Sequence, residues 1–220
     1  MSNLKLWNAV EETEKQFTKY VSQRGGYTAI SPQYQLKQAT EQFGVYGQGF
    51  GLSESEFDYT LIDTGLIIHK AKFFFVIGGQ RSEFPITNAI QAVKTTKNGK
   101  YVDEDFAKKV ETNTVSKALS KLGFNADVYM GLFEDQEYLE ELEYKQAIEK
   151  ASDKDLKKAE IEKELAEEVD RVIVQIKEAN SMSMLEGLYK AMARKVKDRA
   201  QLLKLLTAAK DAKKEELKDA

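Results

Sequence analysis

Cysteine is absent from the 220-residue chain. That removes disulfides, thiolate zinc sites and cysteine nucleophiles together. The one histidine, His69, is too few for a histidine-rich metal site. No stretch has the spacing G-x-x-x-x-G-K-[ST], so nucleotide hydrolysis through a P-loop lacks its motif. No run approaches the roughly 18 apolar residues that a membrane-spanning helix needs. The opening "MSNLKLWNAVEETEKQ" has neither a basic n-region nor an apolar h-region. These absences predict a soluble protein of a reducing, cytoplasm-like compartment. They also predict no catalytic residue, no cofactor, no metal and no membrane partner.

Apolar residues make up 42% of the chain, enough for a real core, and the net charge of −3 is close to neutral. Apolar spacing predicts an amphipathic helix over residues 4–20, with Trp7, Val10, Phe17 and Val21 on its stripe. "RGGYTAIS" breaks it with a short extended piece. "SPQYQLKQATEQFG" has the grammar of a helix: Ser31 as cap, Pro32 at the first position, Gly44 as stop. Three antiparallel strands are expected near residues 50–62, 65–78 and 81–93, joined by "DTG" and by Gly78-Gly79. Pro85 demotes the third strand to an edge or a bulge. Asn98-Gly99 is the expected turn of "KTTKNGKY". A helix follows over "VDEDFAKKVETNTVSKALSKLG", with Asp103, Glu104 and Asp105 in its first turn, where acids suit the dipole. From about residue 150, glycine, proline and aromatics nearly vanish. Three helices are expected there, the middle one capped by Ser181 or Ser183.

The fold class expected is therefore α+β. An N-terminal helix and a three-stranded meander pack on a long helix, and a small helical module follows. The expected division is residues 1–150 and 151–220.

"GVYGQGFG" sits before a strand rather than between a strand and a helix, so it reads as a close backbone turn and not as a dinucleotide cradle. His69 reads as a structural or surface residue. The acids of "DEDF" read as dipole partners, and the acids from Glu134 to Glu143 as a solvated face or a contact for a basic neighbouring surface.

Charge is unevenly spread. Lys or Arg stands at 70, 72, 81, 94, 97, 100, 108, 109, 117 and 121, while residues 41–63 hold acids and no base. Such segregation is the footprint of a polyanion site, which follows the local patch and not the net charge. Lys70 and Lys72 share a strand face, and Lys109, Lys117 and Lys121 share a helix face with Asn113. Tyr27, Tyr34, Tyr46 and Tyr101 are candidates for stacking on bases, against a plain role in the core or an interface.

"TAISPQYQLKQATEQFGVYGQGFG", a meander, and then "TNTVSKALSKLGFNADVYMGLF" together resemble the Sak-type phage single-strand annealing proteins. These are similar to the eukaryotic Rad-type annealing proteins and to the phage Erf group. The resemblance covers roughly residues 5–145. It implies a β-β-β-α core, rings or helical filaments of identical subunits, and ATP-independent annealing of complementary DNA strands in a basic groove. It matches the helix segment "T-x-x-x-K-[KR]-A-L-x-x-x-G" at Thr112, Ser116, Lys117, Ala118, Leu119 and Gly123, with Ser116 standing where a second base is common.

The expected function is phage homologous recombination and DNA repair in the host bacterial cytoplasm, with no enzymatic activity. The expected contacts to single-stranded DNA are Lys70, Lys72, Arg81, Lys94, Lys97, Lys100, Lys109, Lys117 and Lys121. The alternatives are a strand-coating protein without annealing, or a helical module of phage–host interaction. Residues 151–220 are expected either to dock a host single-strand binding protein or a phage exonuclease, or to serve as a stabilising appendage.

Overall fold

The structure is a computed structural model that describes residues 4–22, 25–97 and 99–218. Contacts divide the chain into two units, Met1–Asp135 and Gln136–Ala220. The division falls ahead of residue 150 because helix α5 (Gln136–Lys150) packs with the helices that follow it.

The first unit is built on a meander of β3 (Phe50–Asp58), β4 (Leu66–Ile77) and β5 (Gln80–Gln91), all antiparallel in the order β3-β4-β5. The three expected strands and the Gly78-Gly79 turn are present, and Pro85 lies on an edge strand. β4 buries its odd positions, Ile67, His69, Ala71 and Phe73, on one face. Helix α3 (Phe106–Lys121) covers that face with Val110, Thr114, Val115, Ala118 and Leu119. Burying each of its valines and leucines is worth about 1.5–3 kcal/mol. Helix α2 (Pro32–Phe43) completes the layer. Phe43 meets Phe50, Phe75 and Phe124 at centroid distances of 5.3–6.0 Å. Ser31 precedes α2 without a side-chain cap; its carbonyl accepts from Gln35 N at 3.2 Å instead. The glycine-rich turn is a close backbone passage: a Cβ on Gly49 would collide with the Phe43 carbonyl.

The expected helix over 4–20 is corrected. Helix α1 stops at Val10 (Lys5–Val10), and the chain continues through a 3₁₀ turn into β1 (Thr18–Val21), paired with β2 (Tyr27–Ile30). Thr13 explains the stop. Its N–H and hydroxyl donate to the buried Asp127 carboxylate at 2.7 and 2.6 Å, so they are withdrawn from the helix. Phe17 stacks on Tyr34 at 4.4 Å rather than extending the stripe. Asn125, with φ 56°, holds the same corner: its amide donates to Thr13 and Gln38, and its carbonyl accepts from Gln35.

A second correction concerns the acids before α3. The helix begins at Phe106, so Asp103, Glu104 and Asp105 precede its first turn. Between β5 and α3 a separate ribbon pairs β6 (Val93–Thr96) with β7 (Gly99–Val102). Asn98 of the expected turn lies outside the described residues. The ladder closes at Thr96 opposite Gly99, so Lys94 stands opposite Tyr101.

Gly123 ends the α3 segment with φ +95°, and a Cβ there would approach the Trp7 ring to 2.6 Å. The chain then forms α4 (Ala126–Tyr129) before the second unit. There α6 (Lys154–Glu178), α7 (Met182–Lys195) and α8 (Ala200–Lys218) share a core of Val169, Ile176, Leu185, Met192, Val196 and Leu206. Asp153 caps α6 through the N–H groups of Asp155 and Leu156, and Ser181 caps α7 through Met184 N. Among the described residues no helix is long and apolar enough to cross a membrane.

Two substitutions test this packing. Gly123→Ala is expected to lower stability by about 1–3 kcal/mol, because it adds backbone strain and drives into Trp7. Gly187→Ala, in α7 with open space around its Cα, is expected to raise it by about 0.5–1 kcal/mol. Urea denaturation of each variant reads both effects, and a Gly123→Ala protein as stable as the parent would contradict the packing.

Candidate nucleic-acid interface

Strand alternation decides where each predicted lysine points. Lys70 and Lys72 lie on even positions of β4, opposite the face that α3 covers. They are not bare charges. Lys70 Nζ sits 2.6 Å from Asp58, and Lys72 Nζ 2.6 Å from Glu54 and 3.6 Å from Glu83. Lys70, then Thr60, holds the Asp58 carboxyl well below the usual carboxylate range. Glu54 reaches Lys72 from a β-bulge, where the register shifts and its φ is 50°. The Arg81 guanidinium sits over the Phe74 ring, 3.9 Å from its centroid, with Glu83 at 3.4 Å. This face carries three bases against four acids (Glu54, Glu56, Asp58, Glu83), so its field is close to cancelled.

The opposite end of the charge pattern is the β6–β7 ribbon and the exposed side of α3. From Val93 to Lys121 the chain has seven lysines against four acids. Lys94, Lys97 and Lys100 are exposed on the ribbon and Lys121 on the helix, and none of them forms a salt bridge among the described residues. Lys109 is engaged: its ammonium holds both oxygens of Asp103 at 2.7 Å. That pairing, with Asp103 N donating to Ala92 O at 2.8 Å, fastens the foot of the ribbon to the helix. Lys117 extends over the sheet edge and donates to the Thr87 carbonyl at 2.8 Å. The predicted set therefore separates. Lys70, Lys72 and Arg81 lie on one face of the sheet, neutralised. Lys94, Lys97, Lys100, Lys109, Lys117 and Lys121 belong to the ribbon and α3.

The tyrosines separate as well. Tyr34 is buried, 7% exposed, and belongs to the core. Tyr27 is on the β1–β2 hairpin opposite Val21. Tyr46 lines a groove of about 320 Å³ between α2 and α3 with Leu36, Lys108, Glu111 and Val115. Burial first, and then Glu111, push its hydroxyl above the ordinary tyrosine range. Tyr101 alone of the four stands on the lysine-bearing ribbon, 57% exposed. Lys108, exposed at the rim of the groove, is a base that the predicted set omitted. Its place among the ten bases of the segment was visible, but not its separation from the helix row.

His69, expected to be structural or at the surface, is wholly buried. Its Nδ1 lies 2.9 Å from Thr114 Oγ1, and Nε2 lies 2.7 Å from Ser55 Oγ. Thr114 donates its own proton to Val110 O at 2.7 Å, so it accepts from Nδ1–H. That assigns the neutral Nδ1–H tautomer, with Nε2 accepting from Ser55. Burial lowers the histidine pKa, and Glu111 opposes this only in part.

No protein-family model and no curated protein matches the chain.

The buried imidazole makes a pH prediction. Folded and unfolded forms are both neutral above the unfolded pKa of about 6.5. Below it the unfolded chain takes up a proton that the folded chain refuses, so unfolding is favoured as pH falls. Stability is expected to drop as pH falls from 7 towards the depressed folded value. The single histidine gives an unambiguous NMR signal: its titration midpoint should lie below 6.5, and a midpoint at or above that contradicts the buried neutral ring.

Proposed function

We propose that the chain binds single-stranded DNA through its phosphates and anneals complementary strands without ATP, as a ring or filament of identical subunits in phage recombination. The observation that carries this reading is the contrast between the two lysine sets. Lysines on the outer sheet face have acids within bonding distance, whereas Lys94, Lys97, Lys100 and Lys121 have none among the described residues. Ammonium groups without a bonded acid, on a ribbon and the helix to which its foot is fastened, form a track that a polyanion can neutralise. Lysine serves there as a point charge without base specificity. Gripping the backbone leaves base edges open, which annealing requires. The resemblance of residues 5–145 to the Sak-type annealing proteins points the same way.

The helical module is not part of this track. From Gln136 onward its 18 bases are outnumbered by 20 acids, and several are paired: Lys195 with Glu168, Lys197 with Glu137 and Glu141, Arg199 with Glu162, Lys213 with Glu216. A segment without an excess of base suits docking to a protein partner better than contact with a nucleic-acid backbone.

Salt-dependent binding to a labelled single strand tests the proposal. Replacing Lys94, Lys97 and Lys100 together with alanine is expected to weaken binding to every sequence alike. The slope of log affinity against log salt should flatten by about two to three units. Replacing Lys70 and Lys72 should change the slope by much less. Equal effects from the two sets, or none from the ribbon set, would overturn the assignment.

A further inference from the structure

The ribbon carries more than charge. No residue of β7 is buried, and a two-stranded ribbon has little stability of its own. Its geometry is set at the foot. Ala92 N and Val93 N both donate to Gly65 O, Asp103 N to Ala92 O, and Asp103 to α3 through Lys109. Gly65 permits this close passage, since a Cβ there would collide with the Val93 carbonyl. Lys94 and Tyr101 stand directly opposite one another in the ladder, so their side chains leave the same face of the ribbon. Lys109 lies within electrostatic reach of Tyr101, so this face is the one nearer the start of α3. Both Asp103 oxygens are held by Lys109, and the Lys94 ammonium lies within electrostatic reach of that carboxylate without bonding to it. An exposed aromatic ring beside an ammonium without a salt-bridge partner among the described residues is the pairing that a nucleotide satisfies: ring on base, cation on phosphate.

We infer that Tyr101 is the base-stacking platform of the strand-binding site, with cross-strand Lys94 holding the adjoining phosphate. The inference rests on the strand-binding reading and adds a base-directed contact to it. Stacking uses the face of a base, is tolerant of sequence and leaves the pairing edge free. One platform in each subunit would hold the strand in register with the oligomer without hiding it from a complementary strand. The Lys109–Asp103 pair acts as a positioning brace for the ribbon and not as a phosphate contact.

The test compares two probes of equal length and charge with the full-length protein, by fluorescence anisotropy. One is a thymidine homopolymer, the other the same backbone with abasic sugars. Tyr101→Ala is expected to weaken binding to the thymidine probe on the order of ten-fold and to leave the abasic probe unchanged. Tyr101→Phe keeps the ring and should match the parent on both probes. Tyr101→Leu keeps bulk without an aromatic face and should behave as alanine does. Lys94→Ala should weaken both probes alike. Equal losses on both probes for Tyr101→Ala, or no loss on either, overturn the platform while leaving phosphate binding intact. A parent protein that binds neither probe overturns the strand-binding reading as well.

Discussion

The seating of α3 on the inner face of the meander is the constraint from which the rest of the first unit follows. A three-stranded sheet with Ile67, Ala71, Phe73 and Ile86 on one face must cover that face, and α3 does most of it, with α2 completing the layer. Once Val110, Thr114, Ala118 and Leu119 are turned inward, the row Lys109, Asn113, Lys117, Lys121 has no freedom left and must look outward. The polar contacts of His69 in this layer, to Thr114 and to Ser55, fit because the ring is neutral and both of its nitrogens are satisfied. The glycine after the helix and the Trp7 ring lying against it then tie the N-terminal segment to the same core.

Electrostatics sorts the surface that remains. On the outer sheet face the cross-strand partners of Lys70 and Lys72 are acids or lie beside them, so that face is a set of local pairs, each worth little in solvent. On the ribbon and α3 the acids are fewer and are drawn to the foot of the ribbon, where Asp103 engages Lys109. The result is an acidic protein with a local excess of lysine, carried on a separate exposed ribbon and on α3.

Local signals were legible in the sequence. The helix entered at Pro32 and left at Gly44, the Gly78-Gly79 turn, the edge position of Pro85 and the Ser181 cap all follow from the chemistry of one or a few residues. Long-range partners were not legible. The first helix was expected to run to residue 20 because its apolar spacing allows it. The carboxylate that stops it belongs to Asp127, 114 residues away from Thr13. In the same way the lysines could be counted but not ranked. Whether a lysine is compensated depends on strand register and on a bulge at Glu54, neither of which spacing reveals. Tyr101 is a related case. A turn at Asn98-Gly99 would have set Thr96 opposite it, and only the observed register places Lys94 there.

The proposed activity is faster pairing of complementary strands by a chain that holds their backbones. The most direct measurement mixes two labelled complementary oligonucleotides with the protein at two salt concentrations, without ATP, beside a non-complementary pair. Faster duplex formation for the complementary pair alone, weakening as salt rises, is the result the account predicts. Tight binding without acceleration would contradict annealing and leave a strand-coating protein. No binding at either salt concentration would contradict the nucleic-acid interface altogether.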